Sequence, residues 1–186
     1  FYIDRNKRIW ISTIGRGLDK LEIGRRDFTH YDFHPNNPHG LSDSVIVAIC
    51  EDREGILWLG TTFGVNRFDP ETETIRHYTT RDGLPNDRIN GILEDSHGKL
   101  WISTNNGISC FNPTTGVFRN YGLRSGLQDL EFNRAVYFKS RTGEMFFGGV
   151  NGLNAFYPGK IIDNPHVPQI AFTGFKLFNK AVGIGH

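Results

Sequence analysis

The chain has 186 residues, 38% of them hydrophobic and 22% charged, with a formal net charge of +1. That length suffices for a buried core, and the charge is too near neutral to point to nucleic acid. No run of about 18 apolar residues is present, so a membrane-crossing helix is not expected and membrane contact would come only through segments outside this chain.

Taken in chain order, one motif organises the sequence. It reads Asp4-Arg-Asn-Lys-Arg-Ile-Trp10-Ile-Ser-Thr13, then Asp52-Arg-Glu-Gly-Ile-Leu-Trp58-Leu-Gly-Thr61, then Asp95-Ser-His-Gly-Lys-Leu-Trp101-Ile-Ser-Thr104. A degenerate fourth copy is Ser140-Arg-Thr-Gly-Glu-Met-Phe146-Phe-Gly-Gly149. The aromatic anchors Trp10, Trp58, Trp101 and Phe146 follow one another at 48, 43 and 45 residues, and Gly-Leu recurs at 40–41, 83–84 and 126–127. A fixed period of this size marks a propeller blade or another stacked repeat.

The third copy shows what one period builds. Residues 88–94 form a short apolar run, 99–104 a second, 108–111 a third and 117–121 a fourth, with turn residues between them. The Asp95 side chain can hydrogen-bond the backbone two residues on, and Gly98 can take the positive φ that the turn needs. The spacing predicts four antiparallel strands per period, and nothing carries a helical period. A small sheet with two faces to bury stacks against its neighbours around an axis, which predicts an all-β partial propeller of about three and a half four-stranded blades over 1–158. The bulky anchors are expected to fill the space between blades. In the first copy Lys7 stands where Gly55, Gly98 and Gly143 stand later, so Asn6 or Lys7 should carry an unusual backbone. Phe1-Tyr2-Ile3 reads as the inside of a blade rather than a leader, and more blades are expected before it, since three and a half do not close a ring of four to eight.

After Tyr157-Pro158 the repeat stops. Residues 159–168, with Pro165 and Pro168, read as a linker. Residues 169–178 alternate apolar and polar, as a half-buried strand does, with Asn179-Lys180 as the turn after it. Residues 169–186 are therefore read as the start of a second β domain.

These residues resemble the two-component regulator propeller repeat of bacterial hybrid sensor kinases. The resemblance rests on 92–108 and again 49–65, on Glu131-Phe-Asn133-Arg134 followed by 146–153, and on the exit 167–180. It implies that the exit opens an immunoglobulin-like β-sandwich named for three tyrosines. It also implies a periplasmic sensor region, of which this chain is a piece, upstream of a transmembrane helix and a histidine kinase. The expected ligand is an oligosaccharide or other small nutrient, the expected output is control of polysaccharide-use genes, and the full ectodomain is expected to form a homodimer.

Loops entering each inner strand and the turns between second and third strands should share one face. Polar side chains there, with an aromatic ring, suit a sugar, because hydroxyls pair with amides, carboxylates and guanidinium groups while a flat ring covers the apolar sugar face. Asp87, Arg88, Asn133 and Arg134 are the candidate ligand-binding residues, set against the common role of such side chains in tying loops to blades. Glu51-Asp52 and Glu94-Asp95 recur at one repeat position, so Asp serves the turn rather than a glycosidase pair, which must converge from across a cleft. His30, His34 and His39 lie near one long loop but lack a zinc-site spacing, and no metal or other cofactor is expected. Cys50 reads as a core residue, and a Cys50–Cys110 disulfide is not expected. No Ser/His/Asp or Cys/His arrangement, phosphate loop or basic footprint is legible. A binding fragment without enzymatic activity of its own is the reading; the alternatives are a propeller lyase or hydrolase, or a protein-interaction platform.

Overall fold

The structure, a computed structural model, describes residues 1–24, 26–34, 37 and 39–161, together with the backbone of 175–177 and 180–182. The first sheet holds β1 (Tyr2–Ile3), β2 (Arg8–Thr13), β3 (Gly17–Glu22) and β4 (Phe28–Asp32). The second holds β5 (Ile46–Glu51), β6 (Leu57–Thr61), β7 (Gly64–Asp69) and β8 (Thr74–Tyr78). The third holds β9 (Ile89–Glu94), β10 (Leu100–Thr104), β11 (Gly107–Asn112) and β12 (Val117–Tyr121). In each, four antiparallel strands pair in chain order, and the last sheet has three: β13 (Phe132–Lys139), β14 (Met145–Gly149) and β15 (Gly152–Phe156). The chain is thus all-β, three full blades and a shorter fourth.

Strand alternation explains how the blades stack. In β6, Trp58 points toward the third blade, where it clusters with Ile92, Ile102 and Phe111; Leu57 and Leu59 point back to the first blade and cluster with Trp10. Trp101 likewise packs with Met145 and Phe147 of the fourth blade. Each junction contains an aromatic trio: a Trp, the Tyr of the same blade's fourth strand, and a Phe of the next blade's third strand. Centroid separations are 6.0 Å for Trp10–Tyr31 and 5.5 Å for Trp10–Phe68. They are 5.8 and 5.6 Å for Trp58 with Tyr78 and Phe111, and 5.4 and 4.9 Å for Trp101 with Tyr121 and Phe156. These spacings lie in the range where aromatic pairs attract beyond their area burial.

Phe146 differs from the tryptophans it follows in the repeat. It is half-buried beside Phe138, at 6.3 Å, on a face that no further blade covers among the described residues. Val136, Phe138 and Leu153 are exposed. Phe146 therefore fills no space between blades here.

Lys7 adopts φ +63°, beside values of +85°, +77° and +86° at Gly55, Gly98 and Gly143. The first turn keeps the left-handed geometry of the others and imposes it on a residue with a Cβ, which costs free energy.

Beyond the blades, Pro158–Lys160 forms a single 3-10 turn. Phe175–Leu177 (β16) pairs antiparallel with Lys180–Val182 (β17). Lys180, read from the sequence as part of a turn, is paired with Leu177, because the ladder already begins there. Residues 162–168 of the expected linker, and 169–174, 178–179 and 183–186 of the expected second domain, lie outside the described residues.

Candidate functional site at the loop face of the blades

The turns between second and third strands do share a face with the loops entering the inner strands, since backbone hydrogen bonds join them. Gly64 N–H donates to Asp87 O at 2.7 Å, Gly107 N–H to Leu130 O at 2.7 Å, Asn105 N–H to Arg88 O at 3.3 Å and Val150 N–H to Glu131 O at 3.1 Å. The first two bonds cross from one blade to the next, and the other two tie a turn to the inner-strand entry of its own blade. The turns thus clamp the ring of inner strands at the end where β5, β9 and β13 begin.

Most polar side chains on this face are spent on that clamp. Asp43 accepts from the Thr62 backbone N–H and hydroxyl and from Val45 N–H. Asp87 accepts the Thr80 N–H at 2.6 Å and its hydroxyl at 3.3 Å. Asn106 donates to Pro85 O, Asn151 donates to Asp129, and the buried Asn90 donates to Asn105. Three of the four candidate residues are arranged otherwise. Among the described residues, the side chains of Arg88, Asn133 and Arg134 are exposed and make no hydrogen bond or ion pair. Arg88 immediately precedes β9, and Asn133 and Arg134 sit at the start of β13, the neighbouring inner strand.

The start of β13 is irregular. Its register with β14 jumps between Phe132 and Tyr137, and Ala135 takes φ +59°. Such bulges turn side chains away from their ladder, and this one lifts Asn133 and Arg134 out of pairing with β14. Phe63, at the tip of the second blade's turn, is 64% exposed on the same face. The face therefore offers guanidinium donors, a planar amide and an aromatic ring, and the chemistry it supports is recognition of a neutral or anionic polar ligand. Asp87 does not join this set, being occupied by Thr80.

The acids that could be mistaken for a catalytic pair are structural. Glu51 accepts the Arg5 backbone N–H at 3.0 Å and Glu94 accepts that of Arg53 at 3.1 Å, both across a blade junction. The Arg53 guanidinium adds a 3.2 Å ion pair to Glu94. Asp52 and Asp95 each hold their turn and the indole N–H of a tryptophan. His30 sits 2.6 Å from Asp19, and the described residues contain no group of three or more His, Cys, Asp or Glu arranged to hold a metal.

A second concavity of about 410 Å³ lies along the inner strands, lined by Tyr2, Val47, Ala48, Cys50, Ile92 and Tyr137 among others. Burial raises the Cys50 thiol to about 12 and also raises Tyr137. Its lining is apolar and its ionisable groups are held neutral, so it is poorly suited to a charged or hydroxyl-rich ligand. Cys50 and Cys110 are both free thiols.

Sheet order, blade-to-blade stacking and the common loop face define a β-propeller. The family described as two component regulator propeller matches residues 40–63 and 83–106. No curated protein matches the chain in sequence. Among solved structures, the extracellular domain of the one component system BT4673 from B. thetaiotaomicron superposes with a TM-score of 0.70 at 24% identity, over 85% of this chain and 23% of that one. The extracellular domain of the hybrid two component system BT3049 from B. thetaiotaomicron gives 0.53 at 23% identity, over 99% and 32%. Virginiamycin B lyase from Staphylococcus aureus gives 0.55 at 17% identity, over 88% and 55%. At these identities the likeness establishes the fold. The chain spans about a quarter to a third of the length of the two extracellular domains. Among the described residues no helix is long and apolar enough to cross a membrane.

Proposed function

We propose that the chain is part of the periplasmic ligand-sensing region of a hybrid two-component sensor, that it binds an oligosaccharide, and that it has no catalytic activity of its own. The observation that carries this reading is the loop face, which exposes Phe63 together with Arg88, Asn133 and Arg134, whose side chains have no partner among the described residues. Guanidinium and amide groups match sugar hydroxyls, and an exposed ring matches an apolar sugar face. The repeat family and the extracellular domains of similar fold support a sensory setting. Signalling then requires only that the ligand favour one arrangement of the ectodomain, as a homodimer, over another.

The test is a thermal-shift panel of oligosaccharides against the 186-residue chain and its Arg88→Ala and Arg134→Ala variants. A specific ligand at a hundred times its Kd stabilises the fold by roughly 2.7 kcal/mol. One glycan class giving a dose-dependent rise in the parent and a reduced rise in the variants supports the reading. A flat panel moves it to a protein partner, and consumption of the sugar revives a lyase or hydrolase.

A further inference from the structure

We infer that the cleft between the second and third blades, at the end of the sheets opposite the loop face, binds one small organic carboxylate through Arg67, Arg76 and Tyr78. Both blades are described in full, from β5 to β12, and the cleft holds about 440 Å³. It opens beside the turns that join first to second and third to fourth strands, so it is separate from the oligosaccharide site proposed above.

The junction between the first and second blades shows such a cleft already filled. The turn after β7 carries Glu71 and Glu73 there. Glu73 accepts the Tyr31 hydroxyl at 2.6 Å and lies 3.9 Å from Lys20 Nζ, while Glu71 pairs with Arg8 at 2.8 Å. Glu73 does so from φ +56°, a left-handed backbone that costs free energy in a residue with a Cβ. Two carboxylates of one blade thus neutralise cations of the blade before it.

One blade further on, the carboxylates are gone and the cations remain. Arg67 is paired opposite Trp58 as Lys20 is opposite Trp10, and Tyr78 takes the place of Tyr31. Counted from Pro70 and Pro113, Thr114 and Gly116 stand where Glu71 and Glu73 stand. Gly116 keeps the positive φ, at +71°, and a Cβ there would meet nothing within 4 Å. Arg76 adds a second guanidinium, as the cross-strand partner of Arg67 and 4.9 Å from the centre of the Tyr78 ring. Like charges set directly opposite on a sheet repel one another. Among the described residues neither guanidinium has an ion pair, and the Tyr78 hydroxyl has no hydrogen-bond partner.

Most acids near the cleft are engaged. Asp52 holds its turn and Trp58, and Glu94 is paired with Arg53. Asp69 feels the Arg67 charge, but its carboxylate accepts the Glu71 and Thr72 N–H groups. Two guanidinium groups and a phenol without an acceptor match one carboxylate, which takes charge-assisted hydrogen bonds from them. Glu54 and Thr114, which line the cleft without side-chain partners among the described residues, suit a ligand that also carries hydroxyls.

The probe is glucuronate, with glucose as its uncharged counterpart, titrated into the 186-residue chain while arginine Nε–H and backbone amide signals are followed by NMR. Saturable shifts at Arg67, Arg76 and 113–117 are expected with glucuronate and not with glucose, and added salt should weaken them. Gly116→Glu restores the carboxylate that Glu73 supplies at the first junction and should weaken binding by about tenfold or more. Gly116→Gln, similar in size but uncharged, should weaken it less. Absence of saturable shifts, an equal response to glucose, or equal loss in the two Gly116 variants overturns the inference. Shifts confined to Arg88, Asn133 and Arg134 also overturn it, placing the acid on the loop face instead.

Discussion

Asp52 Oδ2 accepts the indole N–H of Trp58 at 2.7 Å, while Asp52 Oδ1 accepts the backbone N–H of Ile56 at 3.0 Å. One carboxylate therefore closes the turn and satisfies the donor that the buried tryptophan would otherwise lose from water. The pair repeats as Asp4–Trp10 at 2.9 Å and Asp95–Trp101 at 3.0 Å. In the fourth blade both members change together. Ser140 still accepts the turn N–H, from Glu144 at 3.0 Å, but it offers no second oxygen, and Phe146 has no N–H to satisfy.

That coupling is measurable. Asp95→Ser leaves the Trp101 indole N–H buried without an acceptor, which typically costs about 1–3 kcal/mol. Adding Trp101→Phe removes the orphaned donor, so the double variant should lose less stability than the two single losses combined. Chemical denaturation of the four proteins in the cycle gives the coupling directly, and strict additivity would show that the indole hydrogen bond contributes nothing.

Truncating the aromatic anchors should separate the two kinds of position. Trp101 is 3% exposed within a blade junction, and cutting such a side chain to Ala costs about 3–5 kcal/mol. Phe146 is half-buried on a face that nothing covers among the described residues, so Phe146→Ala should cost much less. Thermal denaturation should show a large drop for Trp101→Ala and a small one for Phe146→Ala. Equal drops would mean that the Phe146 face is covered in solution.

The blade itself was legible in the sequence because period, turn chemistry and strand alternation all pointed the same way. The third-copy strands fall within a residue of β9 to β12, and the left-handed backbone at Lys7 follows from the glycines aligned with it. The six-residue step from Asp to Trp was visible three times, but its second use, the indole hydrogen bond, needs the depth at which the ring is buried. Alignment with the tryptophans put Phe146 between blades, but alignment does not say which junctions are covered. The loop face was readable as a face; which of its side chains are free was not. Asp87 and Arg88 are neighbours in sequence, yet one is held by Thr80 and the other has no side-chain partner among the described residues, a difference set by how the 79–83 turn packs.

Acid should act on the first blade through Asp4. Burial alone would raise its pKa, but hydrogen bonds from Trp10 and Arg8, with the Arg8 charge at 2.6 Å, hold it below the ordinary 3.8. A depressed carboxyl contributes stability above its unfolded-state value, and the contribution is lost as pH falls through the lower folded-state value. Asp4→Asn should therefore be less stable than the parent near neutral pH, and the gap should close below about pH 4 as the parent's carboxyl protonates. Denaturation curves across that range test it, and a gap independent of pH would assign the loss to packing instead.

The two thiols offer a probe of whether the blades stay stacked. Burial pushes Cys50 up to about 12 and Cys110 up to about 11, so neither carries appreciable thiolate at mildly alkaline pH. Thiolate is the reactive form. Cys50 lies on β5 against the inner-strand cavity, and Cys110 lies on β11 in the junction between the third and fourth blades. A disulfide reagent near pH 8 should label the native chain far more slowly than the denatured chain, which should react at both positions. Trp101→Ala should speed labelling of Cys110 before that of Cys50, because Trp101 and Cys110 share a cluster that does not include Cys50. Rapid labelling of either thiol in the native parent would show that its junction opens in solution.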